Sequence, residues 1–205
     1  MMFSSYESLE NVRDTCLRCR LCSLHETRQE VVFGAGSLDA SIMLIGQGPS
    51  MTDNVTGLPY SGPAGELLDT ALKQAGLTRE EVWITNIHKC LATRVNPKTK
   101  VEEQRPPKMS EAKACRYWLD EELHWIQPKV LVVIGGPAAK IVLGKDFKLS
   151  EGRGQWLEGM GQRPTLATYQ PTYLKRLNEW DRHAAVKGWR ELVSDLRQAR
   201  EKASL

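Results

Sequence analysis

The chain of 205 residues carries a formal net charge of +3, with 41% hydrophobic and 26% charged residues. Such a length can bury one substantial core, so a single domain over 1–205 is expected, with the amino-terminal segment 1–35 integral to it. The bulk charge is too small to announce nucleic acid, and no apolar run is long enough to span a bilayer, which excludes a membrane partner from the expectations.

The amino terminus, MMFSSYESLENVRD, has acidic residues and no apolar core, unlike a secretory signal, so a cytoplasmic protein is expected. Ser5 to Cys16 reads as a helix and leads into CLRCRLCSL, where Cys16, Cys19 and Cys22 recur at intervals of three; Cys90 and Cys115 follow far downstream. In a reducing compartment a repeated C-x2-C is a metal or cluster spacing rather than a disulfide framework. Four thiolates suit tetrahedral zinc or an iron-sulfur cluster equally well, and one of the five cysteines is left over.

The stretch that organises the chain is Ser41 to Asp69 (SIMLIGQGPSMTDNVTGLPYSGPAGELLD). Ile42 to Ile45 is short, branched and apolar, as a buried strand requires. Gly46, Gly48, Pro49 and Ser50 then break regular structure where a backbone can approach a ligand. A second loop, Gly57 to Gly65, carries Tyr60, and Glu66 to Ala75 is an amphipathic helix closed by Gly76. A pocket is expected between the two loops, although GxxxxGK[ST], GxGxxG and GxSxG are all missing there.

Val82 to Ile87 (VWITNI) reads as a second buried strand with Asn86 and His88 at or beyond its carboxyl end, where side chains face the crevice of an open α/β sheet. Thr93 to Pro107 is polar, basic and proline-bearing, and reads as a long surface loop. Ser110 is expected to cap a helix running through Trp125 and stopped by Pro128. Lys129 to Ile134 is a third strand, followed by Gly135-Gly136-Pro137 and a short helix to Leu143. Gly152 to Gly161 reads as a hairpin or loop, and Thr165 to Tyr169 as a fourth strand ending in a loop, Gln170 to Arg176. A last helix, Glu179 to Lys202, places Trp180, Val186, Trp189, Leu192, Val193 and Leu196 at core-facing intervals. Strands alternating with helices imply an α/β fold with a mostly parallel sheet covered on both faces.

Six segments in register, CRLCSLHETRQEVVFGAG, GQGP with TGLPYSGPAGELLD, ITNIHKC, AKACRYWL, KVLVVIGGPAAKIVLG and QPTYLKR, resemble the uracil-DNA glycosylase superfamily, in particular its iron-sulfur (family 4) branch. The resemblance runs from Cys19 to Arg176 at least. It implies a three-layer α/β/α sandwich around a central four-stranded, mostly parallel sheet, and a monomer acting on DNA. It also implies a 4Fe-4S cluster on Cys19, Cys22, Cys90 and Cys115, with Cys16 spare and zinc the alternative.

The implied activity is hydrolysis of the N-glycosidic bond of a pyrimidine flipped out of DNA, leaving an abasic site. Tyr60 matches the stacking aromatic, Asn86 the reader of the base edge, and Gly48 and Ser50 the loop beside it. Gln170 stands where the family has a histidine that donates to the base carbonyl, and Gln47 where the branch has a glutamate. Asp53 is the remaining loop carboxylate, expected to orient water or stabilise an oxocarbenium-like sugar, unless it only caps a turn. Tyr173 or Leu174 is the expected wedge, with Lys175, Arg176, Gln104 and Arg105 on DNA. The loop resembles a sub-branch that crosslinks itself to uracil-containing DNA through a histidine; Gln104 at that position implies turnover without trapping. The altered pocket implies either uracil or a bulkier modified pyrimidine such as glucosylated 5-hydroxymethylcytosine of phage DNA, and hence anti-phage defence. The competing reading is a binder or sensor that releases no base.

Overall fold

The computed structural model describes residues 4–204, so Met1 to Phe3 and Leu205 of the expected domain lie outside the described residues. In chain order the strands are β1 (Ala35–Gly36), β2 (Ile42–Gly46), β3 (Trp83–Asn86), β4 (Thr93–Val95), β5 (Glu102–Gln104), β6 (Val130–Ile134), β7 (Trp156–Glu158) and β8 (Pro164–Thr168). The helices are α1 (Leu9–Leu17), α2 (Met51–Thr56), α3 (Pro63–Ala75), α4 (Met109–Ile126), α5 (Gly136–Leu143), α6 (Leu149–Gly152), α7 (Pro171–Leu177) and α8 (Arg182–Ala203). One sheet of six strands runs in the order β1-β3-β2-β6-β8-β7. The four expected strands are its parallel centre, and the short edges β1 and β7 pair antiparallel, so the sheet is mostly parallel and wider by two strands than expected.

Side chains alternate across the sheet. Ile42 and Leu44 of β2 face a core with Leu68 and Leu72 of α3 and Leu192 and Leu196 of α8. Met43 and Ile45 face the opposite core with Val12 of α1 and Trp118, Leu119 and Leu123 of α4. Strands buried on both faces read as continuous apolar runs, which is why IMLI and VLVVI were recognisable. Among the described residues no helix is long and apolar enough to cross a membrane.

Several elements differ from the sequence expectation. The first loop contains α2, because Ser50 accepts from Asp53 N at 3.3 Å while Asp53 Oδ2 accepts from Ser50 N at 2.9 Å, a reciprocal capping box. The basic segment after Cys90 is not an open loop. Thr93↔Gln104 and Val95↔Glu102 register β4 against β5, and Asn96 Oδ1 accepts from Lys98 N at 2.9 Å to close the turn. The cap of α4 is Lys108, whose N–H donates to Glu111 at 2.7 Å, so Ser110 lies inside the helix. Gln170 to Arg176 is mostly helix α7, with Pro171 at the first position where its missing N–H is harmless.

On α8, Trp180 precedes the helix and is 68% exposed, and Val186 also faces outward. Small residues form the contact stripe instead, with Ala185, Gly188, Ala199 and Ala203 buried beside Leu192 and Leu196. The reason is close approach: a Cβ on Gly188 would collide with Leu174 of α7.

Beneath β3 lies a buried ion pair. Lys89 Nζ donates to Glu122 Oε2 at 2.7 Å, to Thr85 Oγ1 at 2.6 Å and to the Asn86 carbonyl at 2.8 Å, and both charged side chains are at most 1% exposed. Glu122 also accepts from Gly34 N at 2.8 Å and from Thr85 Oγ1 at 2.6 Å. Removing one member strands the other charge in the core. Lys89→Met is therefore expected to destabilise the fold by about 3–5 kcal/mol, with Glu122→Gln on that background restoring part of the loss; urea unfolding of the two variants measures both.

Candidate functional site

The parallel strands run in the spatial order β3-β2-β6-β8, so the chain reverses its winding direction between β2 and β6. Open α/β sheets bind ligands in the crevice at that switch, beyond the strand carboxyl ends. A cleft of about 840 Å³ lies there, lined among others by Gln47, Gly48, Ser50, Asp53, Tyr60, Gly135, Gln170, Tyr173 and Arg176.

The strand β2 ends at Gly46, and a Cβ there would strike both the Asn86 amide oxygen and the Tyr60 ring. Glycine therefore lets the reader from β3 and the aromatic from the second loop share one space. Tyr60 has φ 52, a left-handed conformation that a bulky residue holds only under constraint. Arg79 supplies the constraint, donating to the Tyr60 carbonyl at 2.8 Å and the Pro59 carbonyl at 3.1 Å while pairing with Asp69 at 2.9 Å. The Tyr60 hydroxyl donates to Gln170 Oε1 at 3.4 Å. Burial first, and the Asp53 charge second, push its phenol above the ordinary value, so it remains a neutral donor.

Asn86 is 1% exposed, and neither its Oδ1 nor its Nδ2 has a partner among the described residues. A buried primary amide with both ends free costs desolvation that a folded chain ordinarily avoids, so a ligand edge is the natural complement. His88 is similarly buried. Its Nδ1 donates to the Gln47 carbonyl at 2.8 Å, which leaves Nε2 as an unpartnered acceptor. Burial lowers its basicity, with the Gln47 carbonyl opposing.

Asp53 reaches the cleft from the first turn of α2. Its Oδ1 accepts from Ser61 N at 2.7 Å and Ser61 Oγ at 2.9 Å, and Oδ2 from Ser50 N at 2.9 Å. The carboxylate is thus both a helix cap and a fixed charge on the cleft wall. Gln104, carried by β5, also lines the cleft, and its amide approaches the Pro49 carbonyl at 3.4 Å.

Of the remaining expected DNA contacts, Tyr173 is 43% exposed at the cleft, whereas Leu174 is 3% exposed in the core. Leu174 is thereby corrected as a wedge: it packs under α8, and only Tyr173 of the two reaches the surface. Lys175 and Arg176 are exposed. Arg105 turns inward, bound to both Glu111 oxygens at 2.6 and 2.9 Å and to the Thr93 carbonyl at 2.9 Å.

Sequence reasoning did not single out Gly135, Pro137, Tyr169 or Thr172 as cleft residues. The first two follow the third parallel strand, and the switch-point rule applied to that strand order would have found them.

Cys19, Cys22, Cys90 and Cys115 line one pocket together with Lys89, Arg28 and Trp118. Cys16 does not line it and is fully buried in the core beside α4. Trp118 Nε1 donates to Cys19 Sγ at 3.2 Å, and Arg28 to Cys90 Sγ at 3.4 Å, so two of these sulfurs are acceptors of charge-stabilising bonds. Burial pushes the Cys115 thiol up to about 12 and raises that of Cys90 against the pull of Arg28. Thiols in such a place become thiolates when a metal supplies positive charge. Among the described residues no three His, Cys, Asp or Glu side chains converge on a single ion position.

Fold and cleft define an α/β protein with a polar-lined cleft at the carboxyl edge of its mostly parallel sheet. The family described as the Uracil DNA glycosylase superfamily matches residues 33–193. A type-4 uracil-DNA glycosylase of Thermotoga maritima is 33% identical over 176 residues, covering 85% of this chain and 87% of that one. One from Archaeoglobus fulgidus is 35% identical over 136 residues, 66% of this chain and 64% of its own, and one from Pyrobaculum aerophilum is 28% identical over 175 residues, 82% and 85% of the two. The chain belongs to the uracil-DNA glycosylase superfamily.

Because the Asn86 amide makes no hydrogen bond among the described residues, Asn86→Ala is expected to cost less than about 1 kcal/mol of stability, far below an ordinary buried polar deletion. Urea unfolding beside the parent protein checks this.

Proposed function

We propose that the protein flips a non-standard pyrimidine out of DNA and hydrolyses its N-glycosidic bond, leaving an abasic site. The observation that carries this reading is the buried Asn86 amide, unpartnered among the described residues, behind the cleft wall beside Tyr60, which lines the cleft. A stacked base cannot be reached in place, so the nucleotide must be extruded and the gap filled. Tyr173 at the mouth fills it, and Lys175 and Arg176 engage phosphates.

Once inside, the base stacks on Tyr60 and pairs its edge with Asn86. Gln170 uses its amide oxygen on the Tyr60 hydroxyl, which leaves its Nε2 to donate to the base carbonyl oxygen as negative charge builds there. Asp53, held by Ser50 and Ser61, supports the positive charge developing on the sugar without having to move, and Gln47 orients the attacking water. The water oxygen bonds to C1′ and its proton ends on the departing base. Gln104 has no nucleophilic atom, so no DNA–protein adduct accumulates.

Uracil is the first substrate, supported by the names of the relatives. A cleft of about 840 Å³ with the amides of Gln47, Gln104 and Gln170 on its walls also has room and donors for a 5-substituted or glucosylated pyrimidine of phage DNA, and a defence role with it. The protein works as a monomer in this reading.

Cys19, Cys22, Cys90 and Cys115 hold a 4Fe-4S cluster. Four thiols around one pocket suit such a centre, and the type-4 relatives support the iron-sulfur reading over zinc. When bound, the cluster joins the amino-terminal segment, the residue after Lys89 and α4 by iron–thiolate bonds.

Incubation with uracil-containing, hydroxymethylated and glucosylated DNA, followed by detection of alkali-labile sites, tests the activity. Release from at least one of these is expected, falling about 10²- to 10³-fold in Asn86→Ala and in Asp53→Asn. No release by the parent protein from any substrate would leave the sensor reading in its place. For the cluster, iron and acid-labile sulfide should be present in equal amounts, and Cys22→Ser should lower both together with the melting temperature.

A further inference from the structure

The outer face of α8 has no role in the mechanism above. His183, Val186, Lys187, Arg190 and Ser194 recur at helical spacing along a groove of about 450 Å³. The cations at its approach, Lys175, Arg176, Arg182, Lys187 and Arg190, are all exposed, and none is in an ion pair among the described residues. Glu191, the acid in the groove, is drawn to Arg153 at 3.3 Å. Asp181 is occupied as the helix cap, accepting from Ala184 N at 2.9 Å.

A chain of side chains links this groove to the cleft, since Glu191 in the groove pairs with Arg153. Arg153 also lies over the Tyr169 ring at 5.4 Å, and Tyr169 lines the cleft and stacks with Tyr173 at 6.2 Å between centroids. Just before α8 begins, Trp180 stands 68% exposed, an unusual degree of exposure for an indole. From His183 to Arg190 the helix rises about 10 Å, close to three nucleotide steps of about 3.4 Å each.

From this we infer that the face of α8 from His183 to Arg190, with Trp180 at its entrance, binds the DNA strand flanking the extruded nucleotide, through its phosphates and through a base laid on the indole. The inference rests on the DNA glycosylase reading and extends it from one nucleotide to a strand of defined path. Cations free of ion pairs suit phosphates, and an exposed aromatic suits a base face of any identity.

The test compares the parent protein with Lys187→Gln/Arg190→Gln, with Trp180→Ala, and with Arg13→Gln/Arg18→Gln on the opposite side of the sheet. Two uracil-containing single strands are used, one of about six nucleotides and one of about twenty. With the long strand, the α8 pair should bind about tenfold more weakly, and its slope of log affinity against log salt should shrink by about 1.4, or 0.7 per lost contact. Trp180→Ala should weaken binding about fivefold without changing that slope. Single-turnover excision from the short strand should be unchanged in all variants. Equal losses on both lengths, no loss on either, or the same slope change from the α1 pair would overturn the inference. Should the parent release no base, the catalytic reading fails, while affinity and salt slope on the long strand still decide the α8 surface.

Discussion

The pairing of Lys89 with Glu122 holds the two halves of this molecule in register. Lys89 sits between Asn86, whose carbonyl it binds, and Cys90, which lines the thiol pocket, while Glu122 belongs to α4, which also carries Cys115. A full charge of each sign at the centre of the protein is tolerable only when every lone pair and proton is used, and Thr85 and Gly34 complete that set. Sliding α4 along β3 by one turn would break three polar contacts at once, those of Glu122 with Lys89, Thr85 and Gly34. The pair therefore specifies where α4 lies, and with it the meeting of cysteines from distant segments and the position of the Asn86 amide.

Against that rigid centre, the cleft gathers the features that cost stability. Tyr60 holds a left-handed backbone, and among the described residues neither end of the Asn86 amide nor His88 Nε2 has a partner. Each is set by neighbours that leave no alternative: Arg79 clamps the Tyr60 loop, Gly46 admits Asn86 and Tyr60 together, and the Gln47 carbonyl orients His88. Preorganisation of this kind suits a site whose complement is supplied by a ligand, and the two apolar cores flanking the sheet offset its cost.

The polar surface divides in the same way. Ion pairs such as Arg79–Asp69, Arg94–Glu103 and Arg116–Asp120 lie on loops, the hairpin and α4, where they brace local structure. Arg105, which the sequence offered as a DNA contact, is of this kind, its guanidinium spent on Glu111. Lys175, Arg176, Lys187 and Arg190 have no such partner among the described residues; they lie on α7 and α8, Arg176 lining the cleft and Lys187 and Arg190 the α8 groove.

Strand identity was legible because IMLI and VLVVI are short, branched and apolar on both faces, and VWI leads into β3 in the same way. The cysteine triplet announced a centre through spacing alone, and the glycines around Gln47 announced a close approach. Local signals were also present where the reading stopped short: Ser50 with Asp53 three residues later is a capping box, and Asn96 followed by Pro97 is a turn. What the sequence by itself determined was therefore period, capping and punctuation, all properties of a few neighbouring residues. Only the tertiary structure decided that Lys89 meets Glu122, that Leu174 is buried while Tyr173 is exposed, and that α8 lays small residues on the core and leaves Trp180 outside. Those outcomes depend on contacts between segments far apart in the chain, whose distance and facing no local pattern contains.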